Sequence, residues 1–176
     1  MTGPYLVLLD RDGTINVDKH YLADPDGLDL LPQALDGLKA MQDDGAVLTL
    51  VTNQSGVGRG YFDLDTAHAI NDRLVGMLAD AGIHIRHVAM CPHAPGEDCH
   101  CRKPKTGMAE EIARETGLEL SQAWVIGDKA SDVELGLNIG GRSLLIGPAD
   151  AADHGQAASV PHLAAAAAHI LSSKAS

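Results

Sequence analysis

Short apolar runs alternate with helically spaced apolar positions along nearly the whole chain. Residues 5–9, Tyr-Leu-Val-Leu-Leu, form an unbroken apolar run that stops at Asp10. So short a run, without polar alternation, predicts a strand buried on both faces. Pro32 opens a predicted helix with Ala34, Leu35, Leu38 and Met41 at helical spacing, and Gly45 stops it. Residues 46–51 predict a second buried strand that ends at Thr52, and a Gly-rich stretch follows over 53–60. Asp63 is placed to cap a long helix with Ala67, Ile70, Leu74, Met77 and Leu78 on one side, ending near Gly82. Residues 83–90 alternate apolar and basic positions, which predicts a third strand. After a Cys-rich loop, a helix is expected from about Thr106 to Gly117 and a fourth strand over 123–126. A helix over 131–139 and a fifth strand over 142–146 follow. Residues 149–176 are Ala-rich, with a closing helix expected over 161–171.

Strands that alternate with helices imply right-handed crossovers. The expected fold is therefore α/β, a Rossmann-like, mostly parallel sheet with helices on both faces. Ligands bind such sheets beyond the carboxyl ends of the strands. Asp10, Thr52, Cys91 and Asp128 all stand at predicted strand ends. No internal repeat or long linker divides the chain, so a single domain over 1–176 is expected.

Composition narrows the class. The chain has 176 residues, 45% of them hydrophobic, enough for one domain with a core. No apolar run reaches the roughly 18 residues of a membrane span. No basic leader with a long apolar stretch opens the chain, so a cytoplasmic location is expected. The formal net charge is −11 and aromatics are only 3%, which disfavours nucleic acid and anionic membranes as partners. Seven of the 13 lysines and arginines nonetheless fall in loops: Arg11, Lys19, Arg59, Arg102, Lys103, Lys105 and Lys129. They are either solvated surface or a local anion site on an acidic body. A small-molecule substrate and a monomer are expected.

Asp10-Arg11-Asp12-Gly13-Thr14 follows the first predicted strand. Two carboxylates two residues apart on a Gly-assisted turn can converge on one point. One can attack phosphorus while the other handles the leaving-group proton. Attack by a carboxylate on a dianion requires charge neutralisation, so a hard cation with oxygen ligands is expected. The stretch Gln54-Ser55-Gly56-Val57-Gly58-Arg59-Gly60 lacks the Gly-Lys-Ser/Thr ending of a nucleotide-binding loop. It reads as a flexible, substrate-facing loop, with Arg59 a candidate contact for a second phosphate.

All three cysteines lie within eleven positions, in Cys91-Pro92-His93 and Cys99-His100-Cys101. An odd cluster in a reducing compartment reads as a metal site rather than as disulfides. Cys91, His93, Cys99 and Cys101 form a closed four-ligand zinc set with no position open for water, hence a structural one. His100 should point away. The zinc loop, 91–103, runs straight into Arg102 and Lys103, so the metal would hold that pair rigid.

The strand ending in Asp-Arg-Asp-Gly-Thr resembles the first motif of the haloacid dehalogenase-like superfamily. Thr52-Asn53, Lys103 and Gly127-Asp128-Lys129-Ala130-Ser131-Asp132 match its further motifs in order. The resemblance implies an aspartyl-phosphate mechanism: Asp10 as nucleophile, Asp12 as general acid/base, and Thr52 and Lys103 as contacts for the transferring phosphoryl group. It implies magnesium held by Asp10, Asp128 and the backbone carbonyl of Asp12. It implies that Asp132 orients Lys103. The short segments after Gly13 and Gly56 leave no room for the large cap domain of many such proteins. The zinc loop with Cys-Arg-Lys-Pro, Asp-Arg-Asp-Gly-Thr and Thr-Asn-Gln-Ser-Gly is more narrowly similar to the heptose 1,7-bisphosphate 7-phosphatases. These act in the supply of nucleotide-activated heptose for lipopolysaccharide. By that resemblance Asp18, Lys19, His20, Tyr21, Thr52, Asn53, Gln54, Ser55, Arg102 and Lys129 contact substrate. Histidinol-phosphate phosphatases share the zinc loop and are the alternative. Ile15-Asn16-Val17-Asp18 and Gln54-Ser55-Gly56 favour the heptose reading. A non-catalytic zinc scaffold would have no need of Asp10, Asp12, Lys103 and Asp128 together.

Overall fold

The computed structural model describes residues 3–175; Met1, Thr2 and Ser176, which the expected domain bounds include, lie outside them. Six strands run β1 (Tyr5–Leu9), β2 (Ala46–Asn53), β3 (Ile85–Cys91), β4 (Trp124–Gly127), β5 (Arg142–Ile146) and β6 (Ala158–Val160). The helices are α1 (Ala34–Asp43), α2 (Ser55–Gly58), α3 (Leu64–Asp80), α4 (Gly107–Thr116), α5 (Ala130–Asn138) and α6 (Leu163–Lys174). All strands join one parallel sheet in the order β3-β2-β1-β4-β5-β6. The order reverses between β2 and β4, on either side of β1. This is the switch point of an open α/β sheet, where a crevice forms at the carboxyl ends.

Side-chain alternation on β1 divides the core in two. Tyr5, Val7 and Leu9 face Leu38 and Met41 of α1, Ile70, Leu74 and Leu78 of α3, and Ile170 of α6. Leu6 and Leu8 face Met108, Ala109 and Ile112 of α4 and Leu135 of α5. Each large apolar side chain so buried contributes roughly 1.5–3 kcal/mol. The Ala-rich segment has a packing role. Gly37 of α1 lies so close to α6 that an added Cβ would meet the Leu163 carbonyl carbon at 2.3 Å. Ala166 and Ala167 are buried in the same layer.

The expected helices and five strands are present, with shifted ends. Two elements differ from expectation. The Gly-rich stretch is not wholly a loop: Ser55–Gly58 makes one helical turn. Its Gly58 packs on the Cys-rich loop, where an added Cβ would meet the Ala94 nitrogen at 2.4 Å. The sixth strand, Ala158–Val160, has too few apolar residues to register as a run. No described insertion forms a large cap over the sheet, and no helix among the described residues is long and apolar enough to cross a membrane.

Candidate active site

Asp10 follows β1 directly, and its N–H donates to the Ile126 carbonyl at 2.9 Å. That bond extends the β1–β4 ladder by one residue and fixes the carboxylate at the strand end. Lys103 enters from the Cys-rich loop. Its Nζ donates to Asp10 Oδ1 at 2.8 Å, Asp132 Oδ1 at 2.6 Å and the Val51 carbonyl at 2.8 Å. An ammonium has three donors, so all are used. Burial alone would lower the lysine pKa. The charges of Asp10 and Asp132 outweigh it and hold Lys103 above the ordinary range.

The carboxylates outnumber that one cation. Burial pushes the Asp10 carboxyl up to about 7; Lys103 opposes the rise, while Asp132 and Asp128 add to it. Burial also raises Asp128, against the pull of Lys129. Asp10, Asp128 and Asp132 each place a carboxylate oxygen within 4.8 Å of the others. Asp132 is fully engaged: its Oδ1 takes Lys103 and its Oδ2 accepts the Lys129 N–H at 3.1 Å. Asp128 Oδ1, by contrast, is buried with no hydrogen-bond partner. An orphaned carboxylate oxygen beside a second acid is the donor set of a hard divalent cation. Gly13, at φ +82, makes this approach possible; an added Cβ would meet Asp128 Oδ2 at 2.1 Å.

Asp12 stands on the same turn in a different setting. Arg11 donates to it twice, from Nε at 3.2 Å and Nη2 at 2.9 Å. Gln54 Nε2 donates to its Oδ2 at 3.0 Å and Asn16 Nδ2 to its Oδ1 at 2.9 Å. Burial pushes this carboxyl up, but the Arg11 charge and these bonds prevail and hold it below the usual range. Two acids two residues apart thus have pKa values driven in opposite directions.

A cavity of about 320 Å³ opens above these groups, lined by Asp12, Asp18, His20, Tyr21, Asn53, Gln54, Ser55, Arg102, Lys129 and Ser131. Eight of the ten expected substrate contacts are among them, and Ser131 joins them unexpectedly. Thr52 is buried beneath, its Oγ1 accepting from Gln54 at 2.7 Å. Lys19 does not line the cavity: its Nζ donates to the Gly27 carbonyl at 2.6 Å and pairs with Asp29. Asn53 uses its amide in both directions on the Lys103 backbone, at 3.0 and 3.3 Å. His20 and Tyr21 take left-handed backbone, φ +48 and +57, beside the cavity. A larger hollow of about 460 Å³ lies across Arg102, lined by the Cys-rich loop and Lys105, and no strand-end carboxylate lines it.

Cys91, His93, Cys99 and Cys101 bring their ligand atoms within 4.8 Å of one another. Cys91 Sγ lies 3.5 Å from His93 Nδ1 and 3.9 Å from Cys99 Sγ, and His93 Nδ1 lies 3.2 Å from Cys101 Sγ. Ligands about 2.0–2.3 Å from one tetrahedral ion stand at such separations, so this set fits a metal. His100 turns away to Glu110 at 3.0 Å.

Pattern reading leaves Arg11 as either solvated surface or part of an anion site, and it passes over Asn71. An arginine between two aspartates reads as surface charge, and an asparagine in a helix as solvated. Both are buried, and Arg11 Nη1 donates to Asn71 Oδ1 at 2.8 Å.

Known proteins support the geometry. The HAD-hydrolase-like family model matches residues 100–171. A D-glycero-beta-D-manno-heptose-1,7-bisphosphate 7-phosphatase of Pseudomonas putida is 37% identical over 142 residues, 80% of this chain and 81% of that protein. A probable heptose 1,7-bisphosphate 7-phosphatase of Thermoplasma volcanium is 41% identical over 123 residues, 70% and 84% of the two chains. Among solved structures, the D,D-heptose 1,7-bisphosphate phosphatase of B. bronchiseptica, complexed with magnesium and phosphate, superposes with TM-score 0.83. It is 31% identical, with 96% of this chain and 99% of that chain covered. The chain belongs to the D,D-heptose 1,7-bisphosphate phosphatase family of HAD-like hydrolases.

Proposed function

We propose that this protein is a magnesium-dependent phosphatase that removes the 7-phosphate of D-glycero-D-manno-heptose 1,7-bisphosphate through a phosphoryl group carried on Asp10. The observation that carries the reading is the group at the sheet's switch point: buried Asp10 bonded to Lys103, beside Asp128 with an orphaned oxygen, under an open cavity. The relatives' names supply the substrate.

Asp10 attacks phosphorus, and the bond to the sugar oxygen breaks as Asp12, ionised in the free site and protonated by the incoming phosphate monoanion, gives that oxygen the proton. Water then attacks the phosphoryl group, the Asp10–phosphorus bond breaks, and Asp12 takes the water proton. Lys103, held by Asp10 and Asp132, offsets charge on the transferring group, and Thr52 adds a hydroxyl contact. Asp10, Asp128 and the Asp12 carbonyl would hold magnesium, which supplies the positive charge that brings a dianion to a carboxylate. Zinc in the Cys91, His93, Cys99 and Cys101 set would be structural, since all four positions are protein ligands.

Phosphate release with magnesium, comparing heptose 1,7-bisphosphate with histidinol phosphate at equal concentration, tests the substrate. The bisphosphate should be strongly preferred and leave a 1-monophosphate. Preference for histidinol phosphate would overturn the reading.

The rim gives a second prediction. Arg59 stands 5.9 Å from the Tyr21 ring, and Tyr21 packs edge-on against Tyr61 at 4.8 Å. Tyr21 lines the cavity, and we infer that Arg59 beside it contacts the phosphate that stays on the sugar. Arg59→Ala should raise KM for the bisphosphate about tenfold, ~1.4 kcal/mol, and leave KM for a monophosphate unchanged. Equal changes on both substrates would remove Arg59 from that role.

Metal binding should depend on pH in a stated direction. Asp10 rises from 3.8 to about 7 on folding, so the metal-free fold holds its proton more tightly than the unfolded chain does. Raising pH through that window ionises Asp10 at a cost to the metal-free fold. A cation that binds the ionised form recovers the loss, and below about pH 7 it must displace a proton. Magnesium affinity, read from the rise in Tm, should weaken up to about tenfold per pH unit below 7. A Tm increment equal at pH 5.5 and pH 8 would contradict this.

A further inference from the structure

Asp12 is held by a buried polar chain that crosses from the first loop to α3. Arg11 follows Asp10 and is 0% exposed. Its Nε and Nη2 grip both oxygens of Asp12, and its Nη1 bonds Asn71 Oδ1. Asn71, 2% exposed, lies on α3 and contacts Met90 Sδ at 3.4 Å through Nδ2. Asn71 therefore ties the guanidinium to a long helix anchored in the core by Ile70 and Leu74. On the other side Gln54 links Asp12 Oδ2 to Thr52 Oγ1.

A planar fork gripped at both ends cannot rotate. Arg11 is therefore a better brace than a lysine, whose ammonium offers no fixed plane. Burying a guanidinium is expensive unless every donor edge is matched, and a purely structural pair could be replaced by apolar packing. Here the charged end is aimed at Asp12, a carboxylate that also lines the cavity.

We infer that Arg11 and Asn71 are positioning residues that fix the Asp12 carboxylate in the plane from which it reaches the leaving oxygen. This rests on the role of Asp12 given above. Neither residue touches substrate. α3 thereby becomes part of the catalytic frame, although none of its side chains lines the cavity above Asp10.

The transfer step separates positioning from stability. An alkoxide leaves only with a proton, whereas p-nitrophenolate leaves without one. Single-turnover rates of phosphoryl transfer to the enzyme would be measured with the sugar bisphosphate and with p-nitrophenyl phosphate. Asn71→Leu, which keeps the Arg11–Asp12 pair and frees the guanidinium from α3, should slow the sugar reaction 10- to 100-fold. The aryl reaction should change less than threefold and KM should hold. Arg11→Lys should not restore the sugar rate, and Asn71→Asp, which keeps an acceptor, should retain most of it. Equal losses on both substrates, or none on either, would overturn the inference. Asp12→Asn is the control. If it shows no leaving-group dependence while Asn71→Leu does, the role of Asp12 fails rather than the brace, and Arg11 must act on another group.

Discussion

Asp10→Asn is expected to lower turnover by about 10⁴-fold or more while the protein stays folded. An amide oxygen is too weak a nucleophile to open a phosphate ester, and none of the neighbouring groups can replace it. Asp128 is the proposed cation ligand, Asp132 is bonded to Lys103 and the Lys129 N–H, and Asp12 is gripped by Arg11. The fold should survive because Asn offers an oxygen for the Lys103 bond. Lys103 also keeps Asp132 and the Val51 carbonyl. Tm in the absence of metal should move by only a few degrees. Acid quench of the wild-type reaction should leave phosphate covalently attached to Asp10 and nowhere else. Turnover retained above about one per cent in the variant, in protein free of wild-type contamination, would end the nucleophile assignment.

Zinc removal is the second large effect. Elemental analysis should find one equivalent of zinc in the native protein, and Cys99→Ser should abolish it. It should lower stability by roughly 4 kcal/mol, about 10 °C in Tm at some 2–4 °C per kcal/mol for a chain of this size. Activity should fall about 10- to 100-fold, although the cysteine lies outside the reaction cavity. The physical route is short. Cys101 is followed by Arg102 and Lys103; Arg102 Nη1 donates to the His93 carbonyl at 3.3 Å. The Asn53 amide clamps the Lys103 backbone from the opposite side. Gly58 N–H donates to the Pro92 carbonyl at 2.8 Å and ties α2 to the same loop. Metal-free protein with full activity and unchanged Tm would refute the structural role.

Much of this was legible in residue order. The run Tyr5 to Leu9 could only be a buried strand, and Asp10 at its end carried both topology and chemistry. Cys91, His93, Cys99 and Cys101 are near one another in sequence, so their convergence needs only a loop. What escaped depends on partners far along the chain. Arg11 looks like a surface cation until Asn71, on α3, is placed beside it. Lys19 looks like a phosphate ligand until the Gly27 carbonyl and Asp29 claim it. Ala158–Val160 becomes a strand because the exposed edge of β5 accepts it, not through its own pattern. Ser55–Gly58 closes a turn because two glycines fit between Phe62 and the Cys-rich loop.

The central place of β1 imposes an order on synthesis. Val7 meets its two partners at very different times: Leu48 of β2 soon after both are made, Trp124 of β4 only after β2, β3 and the helices between them. Until then one edge of β1 is open, Asp10 has no Ile126 carbonyl to anchor it, and Asp128 and Asp132 are absent. A nascent chain released early therefore carries the proposed nucleophile but neither Asp128, the proposed second cation ligand, nor Asp132, which bonds Lys103. It also presents an apolar strand edge to its neighbours, the surface that chaperones bind and aggregates grow from. The residue proposed to begin the reaction is made well before the residues that complete its surroundings.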